Sequence, residues 1–108
     1  MEKSIDDIDF EKSGGLIPII VQDSITKDVL TLAYSNKESL ELTKKTGNSW
    51  FWSRSRNKLW MKGEESGNIQ KVKEILVDCD SDAVSYLVEP SGPACHTGEK
   101  VCFHNELK

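Results

Sequence analysis

From Gly14 onward the chain alternates short apolar runs, many of them β-branched, with polar clusters. Leu16-Ile17-Pro18-Ile19-Ile20-Val21-Gln22-Asp23 reads as a strand whose proline favours a sheet edge or the strand start. Val29 to Tyr34 reads as a second strand, and the polar stretch from Asp23 to Asp28 makes the two a hairpin. The period then changes. Ser35 or Asn36 is placed to cap a helix, with Glu38 or Ser39 as its capping partner. Lys44 and Lys45 fall in the last turn before Gly47, where a helix ends well. Ser49-Trp50-Phe51-Trp52 returns to strand formers and runs into the basic Ser53-Arg54-Ser55-Arg56. Leu59 to Gly67, with glycines at 63 and 67, predicts a functional loop. Ile69 to Val77 and Ala83 to Val88 predict two more strands, joined through a turn at Asp80-Ser81-Asp82. Gly92 to Gly98 predicts a further loop. Residues 1–13 are polar and acidic and predict a loosely held arm. Residues 14–108 predict a single, mainly β (α+β) domain with one helix and about five strands.

A chain of 108 residues is one small domain, and a domain of this size often needs a metal or a second subunit to complete its stability. No apolar run approaches the roughly 20 residues of a membrane span. The start, Met1-Glu2-Lys3-Ser4-Ile5-Asp6-Asp7, lacks the apolar core of a signal peptide, so a cytoplasmic location is expected. The net charge of −4 argues against a general nucleic-acid binder. It leaves room for a local basic pocket that takes a small phosphorylated ligand.

Three segments carry candidate chemistry. In Asp78-Cys79-Asp80-Ser81-Asp82, three carboxylates repel one another unless they share a cation. Extended backbone sends Asp78 and Asp80 one way and Cys79 the other, and a turn at Ser81 swings Asp82 toward the first two. Oxygens suit a hard ion such as magnesium, and a thiolate suits zinc. A solvated acidic turn accounts for the same residues, and for this motif alone it is the favoured reading. The second segment holds Cys95, His96 and Cys102; Cys79 adds a third thiol. An odd count of cysteines is no disulfide framework, which leaves buried inert thiols, a reactive thiol or metal ligands; scattered cysteines alone fit the first, and three thiolates with one open position fit a catalytic zinc pattern. His96 then either closes the site as fourth ligand or acts as a general base beside it; His104 is assigned no role. The third segment is Arg54 and Arg56 followed by Lys62 and Ser66 in a glycine-containing stretch, the usual tools for holding phosphate. Trp50 and Trp60 fit core packing at least as well as stacking on a base.

In order along the chain, these segments resemble phosphoribosyl-AMP cyclohydrolase, a family of histidine biosynthesis. The resemblance runs from Gly15-Leu16-Ile17-Pro18 through Leu32-Ala33-Tyr34, Ser53-Arg54-Ser55-Arg56, Leu59-Trp60, Lys62-Gly63-Glu64 and Ser66-Gly67-Asn68. It ends with Asp78-Cys79-Asp80-Ser81-Asp82-Ala83, Gly92-Pro93-Ala94-Cys95-His96-Thr97-Gly98 and Cys102-Phe103. The resemblance implies hydrolytic opening of the adenine ring of N1-(5-phosphoribosyl)-AMP between N1 and C6. It implies a small pseudobarrel in an intertwined homodimer. Zinc would be held by Cys79 of one subunit with Cys95 and Cys102 of the other, with His96 as the base. Asp78, Asp80 and Asp82 would hold magnesium, and Arg54, Arg56, Lys62 and Ser66 would contact the nucleotide substrate. A phosphoribosyl-ATP pyrophosphohydrolase activity, fused to this domain in many organisms, would come from elsewhere. Two rival readings remain at this level. A non-enzymatic zinc module requires His96 on the metal. A single-strand nucleic-acid binder requires Trp50, Phe51, Trp52, Arg54 and Arg56 to form its surface.

Overall fold

The computed structural model describes residues 2–108. Strand β1 (Ile17–Asp23) buries Ile17, Ile19 and Val21 completely and turns Ile20 outward, the period of two that its sequence predicts. It pairs antiparallel with β2 (Val29–Ser35) as the expected hairpin. Helix α1 (Lys37–Thr46) follows at once. The Asn36 side chain accepts from the Ser39 N–H at 2.8 Å, and the Ser39 hydroxyl accepts from the Asn36 N–H at 3.0 Å, so Ser39 is the capping partner. Gly47 closes the helix in the left-handed region at φ 78°, and its N–H donates to the Thr43 carbonyl.

Two short strands, β3 (Trp50–Ser53) and β4 (Lys58–Met61), form a separate antiparallel pair. Here the structure corrects the sequence reading, which placed Leu59 to Met61 in a loop. Trp60 pairs with Phe51 across the ladder, and their ring centroids lie 5.0 Å apart. That aromatic contact is a cross-strand interaction which local composition does not display. Strands β5 (Gln70–Val77) and β6 (Val84–Pro90) make the last hairpin. The fold is thus mainly β with one helix, as expected, but the described residues form six strands divided between two sheets.

Parallel pairing of β1 with β6 joins the two hairpins into a sheet of order β2-β1-β6-β5. Strand β1 is therefore internal, and the edge position allowed for Pro18 is overturned. Pro18 stands at the strand entry, ahead of Ile19, the first residue paired with β6. Ile17, Ile19, Val21, Leu30, Leu40, Phe51, Val84, Tyr86 and Val88 make the core. Burial pushes the Tyr86 phenol up to about 12, and its hydroxyl donates to Thr43 Oγ1 at 3.2 Å.

The N-terminal segment is not loosely held. It forms 3-10 turns at Ile5–Asp7 and Glu11–Ser13 and buries Ile8. The Asp9 N–H donates to the Ser81 carbonyl at 2.8 Å. Among the described residues, no helix is long and apolar enough to cross a membrane.

Candidate functional site

The turn between β5 and β6 gathers the acidic residues. The Asp78 carbonyl accepts from the Ser81 N–H, and Ser81 takes φ 63° to reverse the chain. One Asp78 oxygen, Oδ1, accepts from the N–H groups of Asp82 at 3.0 Å and Ala83 at 3.1 Å. Asp78 thus shapes the turn with one oxygen and keeps the other free. Carboxylate oxygens of Asp78, Asp80 and Asp82 lie within 4.8 Å of one another. Oxygens bound to one magnesium ion at about 2.0–2.1 Å stand at most about 4 Å apart, so small side-chain rotations suffice to fit it. Two lysines of the N-terminal segment reach this turn. Lys3 Nζ donates to the Asp78 carbonyl, the Cys79 carbonyl and Ser81 Oγ at 3.0, 2.9 and 2.7 Å. Lys12 Nζ lies 2.7 Å from Asp82 Oδ2 and 3.6 Å from Asp80 Oδ2. The Lys12 hydrogen bond is the foremost cause that holds the Asp82 carboxyl down to about 2. Cys79 is exposed on the same turn, its Sγ 4.0 Å from Asp80 Oδ1.

Cys95 and Cys102 belong to a different place. The Ala94 N–H donates to the Lys100 carbonyl and the Cys95 N–H to that of Glu99, which folds residues 94–100 into a tight loop. The Cys102 N–H donates to the Leu30 carbonyl at 2.7 Å. The Lys100 ammonium ties the loop to the β1–β2 turn, 2.8 Å from Asp28 Oδ2 and 3.5 Å from Asp23 Oδ2. Thr97 Oγ1 donates to Cys95 Sγ at 3.1 Å. That bond, then the Thr97 N–H, His104 and Cys102, lower the Cys95 thiol to about 6, against burial. A thiol so placed is poised as the thiolate that a soft metal requires.

The two histidines stand differently about Cys95. His104 Nε2 stands 3.8 Å from Cys95 Sγ, whereas the exposed His96 makes no side-chain hydrogen bond among the described residues. His104 has no local motif to mark it; the tail brings it back only in three dimensions.

Strand β6 separates the two thiol-bearing segments. Cys79 precedes its first residue by five positions and Cys95 follows its last by five. Seven residues at about 3.3 Å each carry β6 roughly 20 Å. The first end is pinned by the bond from the Asp78 N–H to the Ala83 carbonyl, the second by Lys100. Two donors on one zinc stand about 4 Å apart, far less than the length of β6.

The third segment surrounds Trp60. Tyr34, Trp52, Arg54, Ser55 and Trp60 line a cavity of about 530 Å³. An adjoining hollow of about 210 Å³ is lined by Arg56, Trp60, Lys62, Gly63 and Ser66. The four polar residues picked out in the sequence thus border neighbouring concavities. Trp60 serves both core and cavity, since one part of its ring packs on Phe51.

A family model described as phosphoribosyl-AMP cyclohydrolase matches residues 31–104. Proteins of that name are close relatives in full length. The one from Nitrosopumilus maritimus is 83% identical over 108 residues, covering 100% of both chains. The one from Cenarchaeum symbiosum is 77% identical over 107 residues, 99% of each. The one from Clostridium botulinum is 54% identical over 107 residues, 99% of this chain and 97% of its own.

Proposed function

The chain belongs to the phosphoribosyl-AMP cyclohydrolase family, and on that premise we propose how its residues divide the work of the family's reaction. The protein is a hydrolase of histidine biosynthesis that opens the adenine ring of N1-(5-phosphoribosyl)-AMP at the N1–C6 bond. The observation that carries the detailed reading is the separation of Cys79 from Cys95 and Cys102 by the length of β6. Three thiolates on one zinc then require two copies of the chain, Cys79 from one and Cys95 with Cys102 from its partner. The outer face of the sheet favours such pairing. Ile20 and Leu32 pair side by side there, and Leu76 lies beyond Ser85 in the same row, all three at least 41% exposed. A second copy that covers them removes apolar surface from water.

Cys79, Cys95 and Cys102 would hold the zinc, which would acidify a water for the hydrolytic attack. His96 follows Cys95 in the chain and has both ring nitrogens free of side-chain bonds, so it accepts and returns the proton. Arg54, Arg56 and Lys62 hold substrate phosphate by charge, and Ser66 adds a hydroxyl at the rim of the smaller hollow. Asp78, Asp80 and Asp82 hold magnesium, which matches their oxygen donors, and so orient the substrate. Three unpaired thiols fit the reducing cytoplasm.

The test is complementation between inactive partners. Cys79→Ala and Cys102→Ala proteins are mixed under subunit exchange, and ring opening is followed by absorbance. A mixed dimer assembles one intact site from its two unaltered halves, so activity should return to a fraction of wild type. No recovery after exchange has been verified would leave the shared site without support.

A further inference from the structure

We propose that Lys12 is a built-in counter-cation of the acidic turn, which a divalent ion must displace from Asp80 and Asp82 in order to bind. The inference rests on the reading that this turn takes a divalent ion, and goes beyond it by assigning the N-terminal segment a part in that equilibrium.

Three carboxylates within 4.8 Å of one another are held against mutual repulsion. Two ammonium groups face them, and they act differently. Lys3 binds the Asp78 and Cys79 carbonyls and the Ser81 hydroxyl, so it clasps the backbone and leaves every carboxylate oxygen free. Lys12 is bound to the carboxylates themselves, at 2.7 Å from Asp82 and 3.6 Å from Asp80. A divalent ion on those oxygens and an ammonium at 2.7 Å compete for the same lone pairs.

The arrangement suits exchange. Lys12 is anchored by its backbone, its N–H donating to Asp9 Oδ1 at 3.1 Å, while the Asp9 N–H donates to the Ser81 carbonyl. Its side chain is 52% exposed, so rotation about its own stem carries the ammonium into water without unfolding the segment. An exposed ion pair is a weak competitor. The turn is therefore kept folded and partly neutralised without metal, yet yields to a divalent ion. The apparent affinity for that ion is reduced by the fraction of molecules in which Lys12 occupies the carboxylates.

The test uses zinc-saturated full-length protein titrated with Mn²⁺, free Mn²⁺ being read by electron paramagnetic resonance. Lys12→Met is expected to bind Mn²⁺ about fivefold more tightly than wild type, the factor that corresponds to a weak surface ion pair. Lys3→Met is expected to show no tightening. In the wild type, the NMR signal of the Lys12 Cε methylene should shift as Mg²⁺ is added; this second measurement stands even if a variant folds poorly. Mn²⁺ binding that Asp80→Asn abolishes but Lys12→Met leaves unchanged or weakens would overturn the counter-cation role while sparing the metal site. Absence of Mn²⁺ binding in all these proteins would overturn both.

Discussion

The Arg54 guanidinium carbon lies 3.9 Å from the centroid of the Tyr34 ring. This stack joins the end of β2 to the turn after β3, and it holds a flexible cation in one orientation at the wall of the larger cavity. Cation–π contacts at exposed sites contribute about 0.5–1 kcal/mol, which is a factor of roughly two to five in binding. Tyr34→Leu should therefore raise KM about threefold with kcat little changed, and Tyr34→Phe should stay close to wild type. Equal losses in the two variants would assign the effect to the phenol hydroxyl.

Two glycines of the Lys62–Asn68 stretch separate conformational strain from overlap. Both have positive φ, 85° at Gly63 and 83° at Gly67. A Cβ at Gly67 meets nothing within 4 Å, whereas one at Gly63 overlaps the Ile69 nitrogen and the Asn68 carbonyl. Gly67→Ala should cost about 1 kcal/mol, the ordinary penalty for that backbone region. Gly63→Ala should cost about 2 kcal/mol more, because backbone has to move. Denaturant midpoints measure the difference, and equal costs would contradict this account.

Asp23 links stability to pH. Its Oδ1 accepts from the N–H groups of Ile25 at 2.9 Å and Thr26 at 3.2 Å. The Ile25 bond is the foremost cause that lowers its pKa below the ordinary 3.8, with Thr26 and Lys100 adding to it and burial opposing. A carboxyl with a depressed folded pKa stabilises the fold fully above its unfolded value, and that contribution disappears as pH falls through the folded value. Melting temperature should thus fall in acid from about pH 4 downward, and less steeply in Asp23→Asn. Parallel slopes for the two proteins would place the acid sensitivity elsewhere.

Metal removal addresses the thiol-bearing loop. Chelation should abolish ring opening, and zinc should restore it with about one equivalent per chain. Cys95→Ala should lose zinc while keeping its fold, because its side chain is outside the core cluster. Asp80→Asn should lose activity but keep zinc, since carboxylates and thiolates serve different ions. Full zinc content and full activity in Cys95→Ala would remove cysteine coordination. Zinc loss in Asp80→Asn would tie the carboxylates to the zinc site.

Much of this protein is legible from the order of its residues, for a local reason. Helix α1 is bounded by Asn36, Ser39 and Gly47, whose side chains and backbone freedom act within one turn. The β1–β2 and β5–β6 hairpins follow from alternation and turn chemistry over a few positions. The ordered motifs from Gly15 to Phe103 carry the family resemblance, and the close relatives agree with it. Tertiary structure decided what depends on contacts between distant segments. Parallel pairing with β6 made β1 internal, and Phe51 drew Trp60 into β4. Lys3 and Lys12 tied an apparently loose arm to the acidic turn, and the returning tail set His104 beside Cys95. Strand β6 between Cys79 and Cys95 is legible in the sequence, but the contacts that pin its two ends, Asp78 with Ala83 and Lys100 with Asp28, are not. Spacing along the chain allows sixteen positions to close into a loop, but a hydrogen-bonded strand between them is stiff and cannot bring its own two ends together.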